Sequence, residues 1–153
     1  MQNFDKRSQM NIEIKTSRHL DIYGFSGTAI NKEFTATAFK LMDRMWQIVK
    51  KYELKNKGMN IWVYEPGERV FAGVELTEHL ENNYELEHKK ITLNKYGYYK
   101  HIGPYSLIKQ VGQNMTTELK RNGFVTTLPY IEIYGHWNND ETKLETELLM
   151  SLE

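Results

Sequence analysis

"PYIEIYGHW" (residues 129–137) is a run of β-branched and aromatic residues with a carboxylate, Glu132, in its middle. Strand side chains alternate, so Ile131 and Ile133 point to one face while Tyr130, Glu132 and Tyr134 share the other. Two readings of the charge stand side by side. It is the polar residue of a half-exposed strand, or it is a ligand-facing carboxylate framed by two aromatic rings.

Upstream of this strand, Ile108, Val111, Met115 and Leu119 recur at spacings of three and four, which predicts an amphipathic helix. Gly103 and Pro104 stand where its cap and first position belong, and Gly123 where it stops. "ELEHKKITLNKYGYYKHI" (85–102) before it reads as a strand or bent strand pair. Downstream, "HWNNDE" (136–141) reads as a loop and "TKLETELLMSL" (142–152) as the closing strand. Glu147 lies mid-strand there, opposite in direction to Leu148, and reads as a structural or supporting acid.

The first half runs in the same order. Residues 11–30 open with the alternation "NIEIK" and collect Gly24 and Gly27, a strand leading into a turn. Phe34, Ala38, Leu41, Met45, Val49 and Tyr52 mark an amphipathic helix over 34–54, with Asn31 available as its cap. "MNIWVYE" (59–65), "PGE" (66–68) and "RVFAGVEL" (69–76) read as a β-hairpin. The acidic stretch 77–88 reads as a linker or edge loop.

The pattern is therefore β-α-β-β twice, an α+β fold of one domain over 11–153, after a loosely held tail at 1–10. Repeat 1 covers about 11–76 and repeat 2 about 86–152. Laying Asn60–Tyr64 beside Tyr130–Tyr134 matches the apolar positions and sets Trp62 against Glu132. If the halves pair about a pseudo-two-fold axis, the non-helix faces of both strands line one central groove.

At 153 residues the chain is long enough to bury a real core. Its 20 basic residues balance 20 acidic ones, so no long-range field draws it to nucleic acid or anionic lipid. Without cysteine, disulfides, zinc-thiolate sites and thiol nucleophiles are excluded, and a reducing cytoplasm is the expected setting. The polar start "MQNFDKRSQM" is no secretory signal, and no run reaches membrane-spanning length. The five histidines show no metal-ligand spacing on a common element, and no P-loop, GxGxxG or GxSxG occurs. No metal and no cofactor are implied. His101, beside Gly103 and Pro104, reads as part of a turn rather than as an anion site.

"YYKHIGPYSLIKQ", "LKRNGF", "PYIEIYG" and "LETELLMSL", in this order and spacing, resemble the gyrase-inhibitor-like (GyrI-like) small-molecule-binding domain. That bacterial domain also forms the effector-binding part of AraC-type and MerR-type regulators. The resemblance covers the chain from about residue 11 and is strongest over 96–152; "RVFAGVEL" is the best-matching piece of the first half. It implies a groove for amphipathic, often cationic compounds, as in multidrug binding, with the acid of the "YIEIYG" strand, Glu132, in the pocket. Trp62, Tyr64, Tyr130 and Tyr134 are the expected aromatic lining, supplying cation-π attraction and apolar area around the counter-charge. No helix-turn-helix pattern flanks the domain, so the expectation is a self-contained binding protein, a sensor or sequestering agent, rather than a transcription regulator.

Two alternatives accompany this reading. Some relatives are described as hydrolases of strained electrophiles, and Glu132 as general base on a water would serve that chemistry. A protein partner, a regulator or gyrase itself, is the other, with the acidic stretch 77–88 as its docking segment.

Overall fold

The computed structural model describes residues 10–153. The expected tail therefore lies, but for Met10, outside the described residues. The chain is α+β and runs β1 (Glu13–Thr28), α1 (Phe34–Lys51), β2 (Asn56–Glu65), β3 (Arg69–Leu76), β4 (Glu87–Ile102), α2 (Ile108–Arg121), β5 (Thr126–Tyr134) and β6 (Glu145–Leu152). Short 3-10 turns at Ile30–Lys32, Tyr105–Leu107 and Glu141–Lys143 precede α1, α2 and β6. Among the described residues, no helix is long and apolar enough to cross a membrane. The residues form two compact units, one of Arg18–Thr92 and one in which the segment up to Ser17 joins Leu93–Glu153.

In the first unit β3 pairs antiparallel with both β1 and β2, in registers that set Tyr23 against Val74 and Trp62 against Ala72. Helix α1 turns Met45 and Val49 onto Tyr23, Phe25, Val74 and Leu86, the apolar stripe that its three-and-four spacing requires. The β2–β3 hairpin turns at Pro66, Gly67 and Glu68, as the sequence predicts. Three expectations are corrected here. Gly24 and Gly27 do not end a strand; β1 runs through both to Thr28. Gly24 stands opposite Gly73 because the two backbones approach too closely for a side chain: a Cβ on Gly24 would lie 1.9 Å from the Ala72 carbonyl oxygen. Asn31 does not cap α1. It sits in the preceding 3-10 turn at φ 56°, a left-handed position that asparagine tolerates, and Glu33 occupies the cap position. The helix itself ends at Lys51, not at residue 54.

In the second unit β6 is the central strand, antiparallel to β4 and β5. Met115 and Leu119 of α2 pack on Leu148, Met150 and Leu152 of β6, together with Phe124 and with Ile12 from the chain's start. Helix α2 begins at Ile108, later than Gly103 and Pro104 suggest, because Pro104 is extended (ψ 144°) and a 3-10 turn intervenes. The segment 85–102 is one strand from Glu87 onward, and β6 starts at Glu145 because Glu141–Lys143 forms a 3-10 turn capped by Asp140.

Candidate functional site

Cross-strand partners in an antiparallel pair point to the same side of the sheet. Tyr130 pairs with Met150, Glu132 with Leu148 and Tyr134 with Thr146, so these six side chains occupy one face. That face is the one α2 covers, since Val111, Met115 and Leu119 pack there with Tyr130, Leu148 and Met150. The expectation that non-helix faces carry the site is thus overturned for β5. The non-helix face of β5 holds Ile131 and Ile133, both all but fully buried, beside Leu149 and Glu147 of β6.

Glu132 is only 6% exposed. Its neighbours two residues away on either side both turn inward to it. The Tyr130 hydroxyl donates to Oε2 at 2.7 Å and the Tyr134 hydroxyl to Oε1 at 2.6 Å. Such short bonds to an ionised acceptor are stronger than neutral ones. Of the two readings of the charge, the half-exposed strand in water is therefore excluded. Helix α2 accommodates the Tyr130 hydroxyl at Gly112, where a Cβ would stand 3.5 Å from the phenol oxygen. Tyr105, from the 3-10 turn before α2, meets the Tyr134 ring edge-on at 5.5 Å. Burial pushes its phenol above the ordinary tyrosine range, so it stays protonated well past neutral pH.

Two of the nominated aromatics belong to the first unit. Trp62, 5% exposed, and Tyr64 lie on the face of β2 that α1 covers, again not the non-helix face. Phe39 meets the Trp62 ring edge-on at 5.1 Å and Phe34 meets Tyr64 at 5.9 Å.

Glu147 points to the opposite face of β6 from Thr146 and Leu148 and accepts a hydrogen bond from Tyr98 at 2.7 Å. His101 is buried, and its Nε2 stands 3.1 Å from the Pro104 carbonyl oxygen; a carbonyl only accepts, so Nε2 carries the proton. Its role is to hold the turn. Residues 77–86 are irregular, and the rest of the presumed docking segment is engaged within its unit: Glu87 accepts from Ser26, and His88 pairs with Asp21 and stacks on Tyr23. A cleft of about 280 Å³ in the first unit is lined by Ser26, Glu65, Arg69 and Lys89 among others. Within it Lys89 pairs with Glu65 at 2.8 Å and the Arg69 guanidinium donates to the Ser26 hydroxyl at 2.9 Å. Among the described residues, no group of three or more metal-ligating side chains occurs.

Sequence reasoning did not find Tyr105, Gly112 or Thr146. Thr146 had a usable signal, since it alternates with Leu148 and Met150 along β6.

No curated protein matches the chain. Among solved structures, the EcmrR C-terminal domain is similar at 19% identity, TM-score 0.75, over 95% of this chain and 99% of that one. In a complex of EcmrR with DNA, the likeness is 15% identical with TM-score 0.66, over 95% of this chain and 57% of the regulator. SAV2435 bound to tetraphenylphosphonium is 18% identical, TM-score 0.66, over 94% of each chain. A hydrolase from Listeria innocua is 10% identical, TM-score 0.58, over 97% of this chain and 94% of that one. At such identities these likenesses speak for the fold. The model of the GyrI-like small molecule binding domain matches residues 10–153, nearly the whole described chain, and the protein belongs to that family.

Proposed function

We propose that the protein binds amphipathic cations and that Glu132 is their counter-charge. The observation that carries this reading is a carboxylate, 6% exposed, whose two oxygens are each held by a neutral phenol. Taking an anion out of water has a desolvation cost. A lipophilic cation offsets it and adds attraction to the electron-rich ring faces of Tyr130 and Tyr134. The likeness to SAV2435 bound to tetraphenylphosphonium, a lipophilic cation, supports the ligand class.

The reading extends to the architecture. The two halves are β-α-β-β repeats of one domain, and Trp62 and Tyr64 are the ligand-binding aromatics of the first repeat. Support comes from equivalent registers, Trp62 opposite Ala72 on β3 and Glu132 opposite Leu148 on β6. The partner is then a small molecule, and nucleic acid is not a direct ligand of this domain, in line with its balanced charge.

Titration calorimetry with tetraphenylphosphonium and a neutral isostere tests the reading. The wild type should prefer the cation, and Glu132→Gln should weaken cation binding by roughly tenfold or more, the loss of about 1.4 kcal/mol of desolvated charge pairing. Equal affinity for cation and isostere would sink it. Mass spectrometry of the recovered compound separates binding from the hydrolase alternative.

A further inference from the structure

Thr146 is 0% exposed, and its hydroxyl has no hydrogen-bond partner among the described residues. A buried hydroxyl left in that condition is destabilising, and valine has nearly the same shape without the cost and an equal liking for strands. The register puts Thr146 between two polar neighbours, His101 on β4 and Tyr134 on β5. Both are committed elsewhere, His101 Nε2 to the Pro104 carbonyl at 3.1 Å and the Tyr134 hydroxyl to Glu132 at 2.6 Å.

Thr146 also shares the face of Glu132, diagonally across the β5–β6 ladder, a separation on the order of 5–8 Å. Tyr134 donates to the carboxylate and is the cross-strand neighbour of Thr146, so one ring borders both groups.

We infer that Thr146 is a specificity determinant of the binding site, selecting cations that carry a hydroxyl, ether or carbonyl a few bonds from the charge over purely hydrocarbon cations. The inference rests on the cation reading of Glu132 and names the ligand class within it. The ligand's polar group meets the Thr146 hydroxyl, which both donates and accepts.

The test uses tetraphenylphosphonium and its analogues with one meta- or para-hydroxyl, titrated against wild type, Thr146→Val and Glu132→Gln. The quantity read is the affinity ratio of hydroxylated to parent cation. For at least one analogue the ratio should reach roughly fivefold in wild type, as a net hydrogen bond of about 1 kcal/mol gives, and should fall to about one in Thr146→Val. Without ligand, Thr146→Val should melt at the same temperature as wild type or higher. A wild-type ratio near one, a preference that survives in Thr146→Val, or a melting temperature several degrees lower in that variant would each overturn the inference, the last because the hydroxyl would then already be bonded in the free protein. Cation binding that depends on Glu132 without any such preference fails Thr146 alone. Absence of cation binding in wild type, or its persistence in Glu132→Gln, fails the cation reading and the ligand class with it.

Discussion

Glu132 lies two residues from each of two tyrosines, and a strand's period of two turns that spacing into contact. Both phenols reach it because Tyr130, Glu132 and Tyr134 project from one face at successive pleats. Removing either donor should therefore cost stability. Tyr130→Phe and Tyr134→Phe are each expected to destabilise the free protein by about 1.5–3 kcal/mol, the range for a hydrogen bond to a charged group, as read from urea unfolding. Loss below the error of that measurement in both variants would mean that the phenols do not support the carboxylate. A second residue-scale effect lies at Asp140, whose carboxylate accepts from the Thr142 amide at 3.0 Å and the Thr142 hydroxyl at 2.6 Å. These bonds favour the ionised form and hold its pKa below the ordinary value. A depressed folded pKa means that the contribution is present above the unfolded value, about pH 4, and lost as pH falls through the folded one. Amide exchange at Thr142 should accelerate relative to its neighbours below about pH 4, and Asp140→Ala should abolish that dependence.

Elements in this chain are positioned by small residues as much as by apolar ones. Helix α2 lies against the site because Gly112 leaves space beside the Tyr130 hydroxyl. Gly112→Ala should be tolerated, since 3.5 Å is ordinary contact, whereas Gly112→Leu should push Tyr130 away from Glu132 and weaken cation binding; unchanged affinity in the leucine variant would show that α2 does not hold this tyrosine. Strand β1 is held closer still. Gly24→Ala sets a methyl against the Ala72 carbonyl and should cost about 3 kcal/mol or more, seen as a loss of melting temperature or of soluble expression. Helix periodicity was legible from Ala38, Met45 and Val49, all buried, because a stripe at 3.6 residues has one explanation in a chain of this length. The ends were not, because a 3-10 turn and an α-helix use the same residue types and differ only in which carbonyl each amide meets.

Across the whole molecule the 20 basic and 20 acidic residues cancel, so net charge contributes nothing toward binding a phosphate backbone. Labelled duplex DNA should show no anisotropy change up to roughly 100 μM protein at physiological salt, and a micromolar, salt-sensitive affinity would count against the small-molecule assignment. The element order, the helix stripes, the hairpin and the shared face of Tyr130, Glu132 and Tyr134 were determined by the sequence alone, because each follows from a local period or a turn residue within a few positions. So was the resemblance to the family, carried by motifs in order that are strongest over 96–152, and the family model matches residues 10–153. What only the tertiary structure decided is which face α2 covers, that Glu132 is 6% exposed rather than in water, and that Thr146 is buried with no partner for its hydroxyl among the described residues. A period of two says which residues share a face, but the two faces of a strand are equivalent until another element packs on one of them. That choice is made by contacts such as Met115 on Leu148, between residues far apart in the chain, and no local pattern encodes it.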